Sequence, residues 1–97
     1  MHNLFASGDG SVFARVPAVE RPVGSLLILA RPEMSEAKLL GPTAAVVWQA
    51  LGSVHDVEGL GGLLSELYPE IAEDVRAQTL SAILGELEAD GLVTRTR

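Results

Sequence analysis

Leu26-Leu27-Ile28-Leu29, Arg31-Pro32-Glu33-Met34-Ser35, Glu36-Ala37-Lys38-Leu39-Leu40 and Gly41-Pro42 follow one another along the chain, and the architecture can be read outward from them. An apolar run, a polar turn holding a proline and a second short run with Lys38 on one side and Ala37 and Leu39 on the other predict two strands joined by a turn. The first run does not alternate, which predicts a strand buried on both faces. Gly41 is suited to cap a helix with Pro42 at its first position, where the missing N–H has no partner to lose. Residues Ala44 to Leu51 are apolar except for Gln49, so that helix is predicted to lie in the core with Trp48.

Upstream, Val12-Phe13-Ala14-Arg15-Val16 predicts a first strand, stopped by Pro17 and by Glu20-Arg21-Pro22 because proline cannot donate to a ladder. Residues 1–10 end in Ser7-Gly8-Asp9-Gly10 and read as a weakly ordered lead-in, leaving 11–97 as one domain. Downstream, Asp56 is placed to cap a second helix carrying Val57, Leu60, Leu63, Leu64 and Leu67 at helical spacing. Gly59, Gly61 and Gly62 each cost that helix about 0.5–1 kcal/mol against alanine, and Tyr68-Pro69 ends it. A third helix is predicted from about Ile71 to Ala89, with Gly91 as its stop and Leu92-Val93 tucking back on the core. The resulting class is α+β: an N-terminal three-stranded antiparallel sheet followed by a three-helix bundle, in a winged-helix-like arrangement.

Composition narrows the function. The 97 residues are 47% hydrophobic but only 4% aromatic, which predicts an aliphatic core. Seven basic residues against thirteen acidic ones leave a formal charge of −6, a poor match for nucleic acid, whose binding draws on Lys and Arg. With no cysteine there is no disulfide, thiolate nucleophile or cysteinyl metal site. The apolar stretches are too short to span a bilayer and Met1-His2-Asn3 lacks a basic signal-peptide start, so a cytoplasmic protein with no membrane span is expected. His2 and His55 are the only histidines and are far apart in sequence, so neither a metal pair nor a catalytic relay is expected. Gly59-x-Gly61-Gly62 lies within a helical pattern and lacks the lysine of a phosphate loop. The expectation is a protein that is not an enzyme and needs no cofactor. Glu66, Glu70, Glu73, Asp74, Glu86, Glu88 and Asp90 read as solvated helix faces.

The third helix carries the sharpest functional signal. At 100° per residue, Ala72, Val75, Thr79, Leu80, Ile83, Leu84 and Leu87 spread over roughly half its circumference, wider than the stripe of about 100° that one packing seam needs. One edge of that face is therefore available to a partner. Arg76 falls near the middle of the arc. It is either a snorkelling arginine at the end of a core helix or an anchor beside a peptide groove.

Taken together, Leu26–Ala30, Leu39-Leu40-Gly41-Pro42-Thr43-Ala44, Trp48, Leu60, Leu63-Leu64, Tyr68-Pro69, Asp74-Val75, Leu80, Leu84, Leu87 and Gly91-Leu92-Val93 resemble, in order and spacing, the PqqD-like RiPP recognition elements. These are small winged-helix domains that bind the leader segment of a ribosomally made precursor peptide. The resemblance runs from about Val12 to Val93. It departs at Gly41, where many relatives have an Asn-like cap, and in the polar turn before Glu36, which is less glycine-rich than usual. It implies that the leader peptide adds as a strand to the sheet edge and lays side chains into a groove beside the third helix. The implied peptide-binding residues are Glu36, Ala37, Lys38, Leu39 and Leu40 on the strand and Arg76, Leu80, Ile83 and Leu84 on the helix. It also implies a separate processing enzyme as partner, such as the leader peptidase of a lasso-peptide pathway or a radical-SAM enzyme.

Two other readings belong to different classes. A winged-helix DNA-binding regulator would use the third helix for recognition, but its polar positions are Glu73, Asp74, Gln78 and Ser81, with Arg76 its only base. A dimerising structural adaptor would cover the broad apolar face with a second copy, so monomer and homodimer both remain open.

Overall fold

Residues 11–96 are described by a computed structural model, and the lead-in expected over residues 1–10 lies outside them. In chain order the elements are β1 (Phe13–Arg15), β2 (Val19–Val23), β3 (Leu26–Ala30), β4 (Lys38–Leu40), α1 (Pro42–Ala50), α2 (Val57–Leu67), α3 (Glu73–Ala89) and β5 (Val93–Arg95). The molecule is α+β, with a three-stranded antiparallel sheet ordered β2-β3-β4, three helices and a separate two-stranded ribbon of β1 and β5.

The three-stranded sheet differs in composition from the one expected. Residues Val12–Val16 do supply β1, but it pairs with β5 in the register Phe13↔Arg95 and Arg15↔Val93 and does not join the sheet. The sheet's first strand is instead β2, built from the Glu20-Arg21-Pro22 stretch, where proline predicts a break. Two local features permit this. Gly24, at φ +63°, turns the chain in two residues with Ser25, so Val23 pairs directly with Leu26. Pro22 is tolerated because β2 is an edge strand, where a missing N–H can face outward. Leu92 and Val93 return to the core as expected, both buried, and Val93 in addition begins β5.

Burial on β3 alternates, contrary to the expectation from its unbroken apolar run. Leu27 and Leu29 are buried, while Leu26, Ile28 and Ala30 are only half-buried. One face of the sheet lies on the helices, and no described element covers the other. The core joins Leu27, Leu29 and Leu40 from the sheet to Val47, Trp48 and Leu51, to Leu60 and Leu64, and to Leu80, Leu84 and Leu87. Phe13, Leu92 and Val93 close it from the ribbon side. It is as aliphatic as the composition requires.

The helix ends follow from sequence chemistry. Gly41 caps α1 with Pro42 at the first position, and Asp56 caps α2 by accepting a hydrogen bond from the Gly59 N–H at 3.2 Å. The third helix starts at Glu73 rather than near Ile71, with Ala72 as its N-cap and Glu73 and Asp74 complementing the helix dipole in the first turn. At its other end Gly91 has φ +73°, its N–H bonds the Glu88 carbonyl and the Leu92 N–H bonds the Leu87 carbonyl. That pair of bonds is a Schellman motif, and it turns the chain so that buried Leu92 lies against the end of α3 before β5 begins.

Candidate functional site

Successive residues of an antiparallel strand direct their N–H and C=O groups alternately to one side and the other. The two-residue turn makes Val23 and Leu26 a hydrogen-bonded pair, and Arg21↔Ile28 and Val19↔Ala30 follow in step. Leu27 and Leu29 therefore direct their polar groups to β4, where they pair with Leu40 and Lys38. Leu39, between them, points its N–H and C=O away from the sheet. No backbone partner meets them among the described residues, and the Leu39 side chain is 58% exposed on the uncovered face.

The two sheet edges are thus unlike. On β2 the same alternation sends the polar groups of Glu20 and Pro22 outward, and Pro22 has no N–H to offer. That edge is blunted against strand addition, whereas the edge at Leu39 keeps both donor and acceptor.

Beside the open edge stands α3, tied to it by charge. The Lys38 Nζ lies 2.7 Å from Glu86 Oε2 and 3.0 Å from Asp90 Oδ2. Hydrogen bonds to Glu86 and then to Asp90 hold the Lys38 ammonium above its ordinary pKa, against a smaller opposing effect of desolvation. A second tie comes from Arg31, whose Nη1 donates to the Gly91 carbonyl at 2.9 Å while Nη2 pairs with Glu33 at 3.3 Å. The β3–β4 connection is thereby fastened to the C-terminal end of α3. Counting back at 100° per residue from Glu86 and Asp90, the same edge of the helix continues through Ile83, Thr79 and Val75. Ile83 is half-buried and Val75 is 47% exposed, so this edge offers accessible apolar surface.

The residues implied by the resemblance divide by location. Lys38, Leu39 and Leu40 form β4, while Glu36 and Ala37 lie in the bend before it, so the strand is two residues shorter than expected. Leu40 is buried beneath the sheet. On the helix, Leu80 and Leu84 are core residues, and Ile83 alone of the three leucine and isoleucine positions reaches the surface. Arg76 turns toward α2: its Nη1 donates to the Tyr68 carbonyl at 3.0 Å and to the Ile71 carbonyl, and its Nη2 lies 3.5 Å from Ser65 Oγ. It serves as a C-terminal cap for α2, which has no basic residue of its own in its last turn. Glu86 and Asp90, read from sequence as merely solvated, are the partners of the edge strand. Nothing in the local pattern marks them, because the lysine they meet is 48 residues away from Glu86.

Elsewhere several polar side chains tie elements of the fold together. The Arg15 guanidinium lies over the Trp48 ring, 5.2 Å from its centroid, and pairs with Glu20 at 3.5 Å. The Trp48 Nε1 is buried without an acceptor among the described residues. His55 is stitched to β1, its Nδ1 3.1 Å from the Phe13 carbonyl and its own carbonyl accepting from the Phe13 N–H at 2.7 Å. Among the described residues, no group of three or more His, Cys, Asp or Glu side chains is placed to hold a metal ion. No described helix is long and apolar enough to cross a membrane. No family model, curated protein or solved structure matches this chain.

Proposed function

We propose that this protein is a non-enzymatic peptide-binding domain of the PqqD-like, winged-helix recognition class, taking the leader segment of a precursor peptide as an added strand on β4. The observation that carries the reading is the asymmetry of the sheet: the β2 edge lacks a donor at Pro22, while at Leu39 an N–H and a C=O point outward with no backbone partner among the described residues. Strand addition draws affinity from such main-chain groups and selectivity from alternate side chains.

A peptide paired along Leu39 has its alternate side chains directed toward α3, into the space edged by Ile83, Thr79 and Val75. Leu80 and Leu84 support that wall from beneath, and Arg76 fixes the start of α3 against α2. The Lys38 bridge to Glu86 and Asp90 fixes strand and helix to each other at one end, so that the space is preorganised. With β4 only three residues long, the ladder is short and side-chain contacts must supply much of the affinity. The bound leader is then presented to a separate processing enzyme, such as a leader peptidase or a radical-SAM enzyme, in the cytoplasm. No cofactor takes part.

Fluorescence-polarisation titration of labelled leader and core segments from a precursor peptide encoded beside this chain tests the reading. Leader binding at micromolar affinity or tighter, with no turnover, is expected. Binding confined to the core segment, or none to either, defeats it.

A further inference from the structure

The uncovered face of the three-stranded sheet carries a different signal from the β4 edge. Directly opposed residues share a face, so the register places Val19 with Ala30, Arg21 with Ile28 and Leu39, and Val23 with Leu26 on this side. Val19, Leu39 and Val23 are 65%, 58% and 51% exposed. Contiguous exposed apolar surface of this kind marks interaction sites. In the middle row stands Arg21, which has no ion pair or hydrogen bond among the described residues. The other described cations are engaged: Arg15 with Glu20, Arg31 with Glu33, Lys38 with Glu86 and Asp90, Arg95 with Glu88, and Arg76 on main-chain carbonyls. In a chain of net charge −6, the one unengaged described cation is set within an apolar sheet face.

We propose that this face docks a second, different protein through an apolar surface that presents a carboxylate to Arg21. Charge chooses among occupants. A second copy packed about a two-fold axis on this face would offer Arg21 no carboxylate, because the register places no Asp or Glu on it, and would bury the cation against apolar side chains or against its own counterpart. An anionic membrane would meet one arginine on an otherwise acidic protein. A carboxylate set in an apolar partner surface satisfies Arg21 and covers Val19, Val23, Ile28 and Leu39 together. This surface is distinct from the outward polar groups of Leu39, and the proposal does not rest on peptide binding there.

The test uses the full chain, immobilised and titrated by biolayer interferometry with each purified protein encoded beside it. One of them is expected to bind, with Arg21→Gln weakening it about tenfold, the size of a charge-assisted hydrogen bond. Val19→Asp, at the most exposed position, is expected to abolish it while amide NMR spectra show retained folding. Mutating the partner carboxylate to lysine is expected to be rescued by Arg21→Glu. Absence of binding by every such protein, or binding indifferent to both Arg21→Gln and Val19→Asp, overturns the proposal. So does self-association in sedimentation that Val19→Asp removes, or tight binding to phosphatidylserine vesicles.

Discussion

The Lys38 Nζ lies 2.7 Å from the Glu86 carboxylate, joining the edge strand β4 to a helix that begins 35 residues further on in the sequence and ends beside it. With Asp90 at 3.0 Å, one ammonium is shared by two carboxylates one turn apart, Glu86 on α3 and Asp90 at its C-cap. Because the folded state raises the Lys38 pKa, the stabilisation is fully present below the unfolded lysine value and is lost as pH rises through the higher folded value. Thermal melts between neutral pH and the upper lysine range should thus show a loss in the wild type that Lys38→Met does not show. Both carboxylates are partly exposed, so at neutral pH Lys38→Met is expected to cost only about 0.5–1 kcal/mol. Equal alkaline losses in the two proteins would count against the bridge.

The glycines of α2 should separate by environment rather than by propensity. A Cβ built on Gly59 would lie 2.6 Å from Asp56 Oδ1 and 2.7 Å from Val54 Cγ1, whereas Gly61 and Gly62 face open space. Gly61→Ala and Gly62→Ala are expected to stabilise by about 0.5–1 kcal/mol each. Gly59→Ala is expected to destabilise, because the gain in helix propensity is outweighed by displacing the Asp56 cap, itself worth about 1 kcal/mol. Denaturant midpoints for the three variants check the order.

Much of this structure is legible in the sequence, and what is not has a physical reason. Capping and stop signals act within a few residues, so Gly41-Pro42, Asp56, Tyr68 and Gly91 mark helix ends at or near those observed. Strand pairing is different, since it depends on what lies opposite. Pro22 reads as a strand breaker until the edge position is known, and Leu92-Val93 reads as a return to the core, not as the start of a strand, until β1 is found beside it. The continuous run at Leu26–Ala30 hides that one face is left uncovered, because apolar residues occupy the outer face too. Arg76 stands out in the sequence as a cation within an apolar arc, but its carbonyl partners on the α2–α3 turn cannot be inferred from spacing alone.

The wall of α3 should likewise divide into core and surface. Leu80 is fully buried, so Leu80→Ala is expected to cost about 2–5 kcal/mol of stability, a large part of a small domain's total. Any loss of peptide binding in that variant reflects unfolding first. Val75→Asp is the informative partner, because an exposed position is expected to change stability by no more than about 0.5 kcal/mol. If the peptide lies along this helix edge, Val75→Asp weakens its binding while the melt is unchanged. An unchanged dissociation constant would restrict the contact to Ile83 and the strand.

The register of β4 gives the sharpest test of strand addition. Leu39 directs its N–H away from β3, so Leu39→Pro removes a donor that no described group uses and leaves the Lys38 and Leu40 bonds to β3 in place. Residue 38 is already extended, the conformation that a following proline favours. Lys38→Pro has the opposite effect: it deletes a ladder donor, strands the facing Leu29 carbonyl and removes the bridge to Glu86 and Asp90. It is therefore expected to cost about 1–3 kcal/mol of stability. Leu39→Pro is expected to melt near the wild-type temperature and yet to lose leader binding about tenfold or more, since a main-chain hydrogen bond is lost and the ladder is short. Arg21→Gln, on the sheet face and away from this edge, should leave leader binding unchanged in the same titration. A folded Leu39→Pro protein that binds leader as tightly as the wild type would place the peptide elsewhere, whatever its affinity.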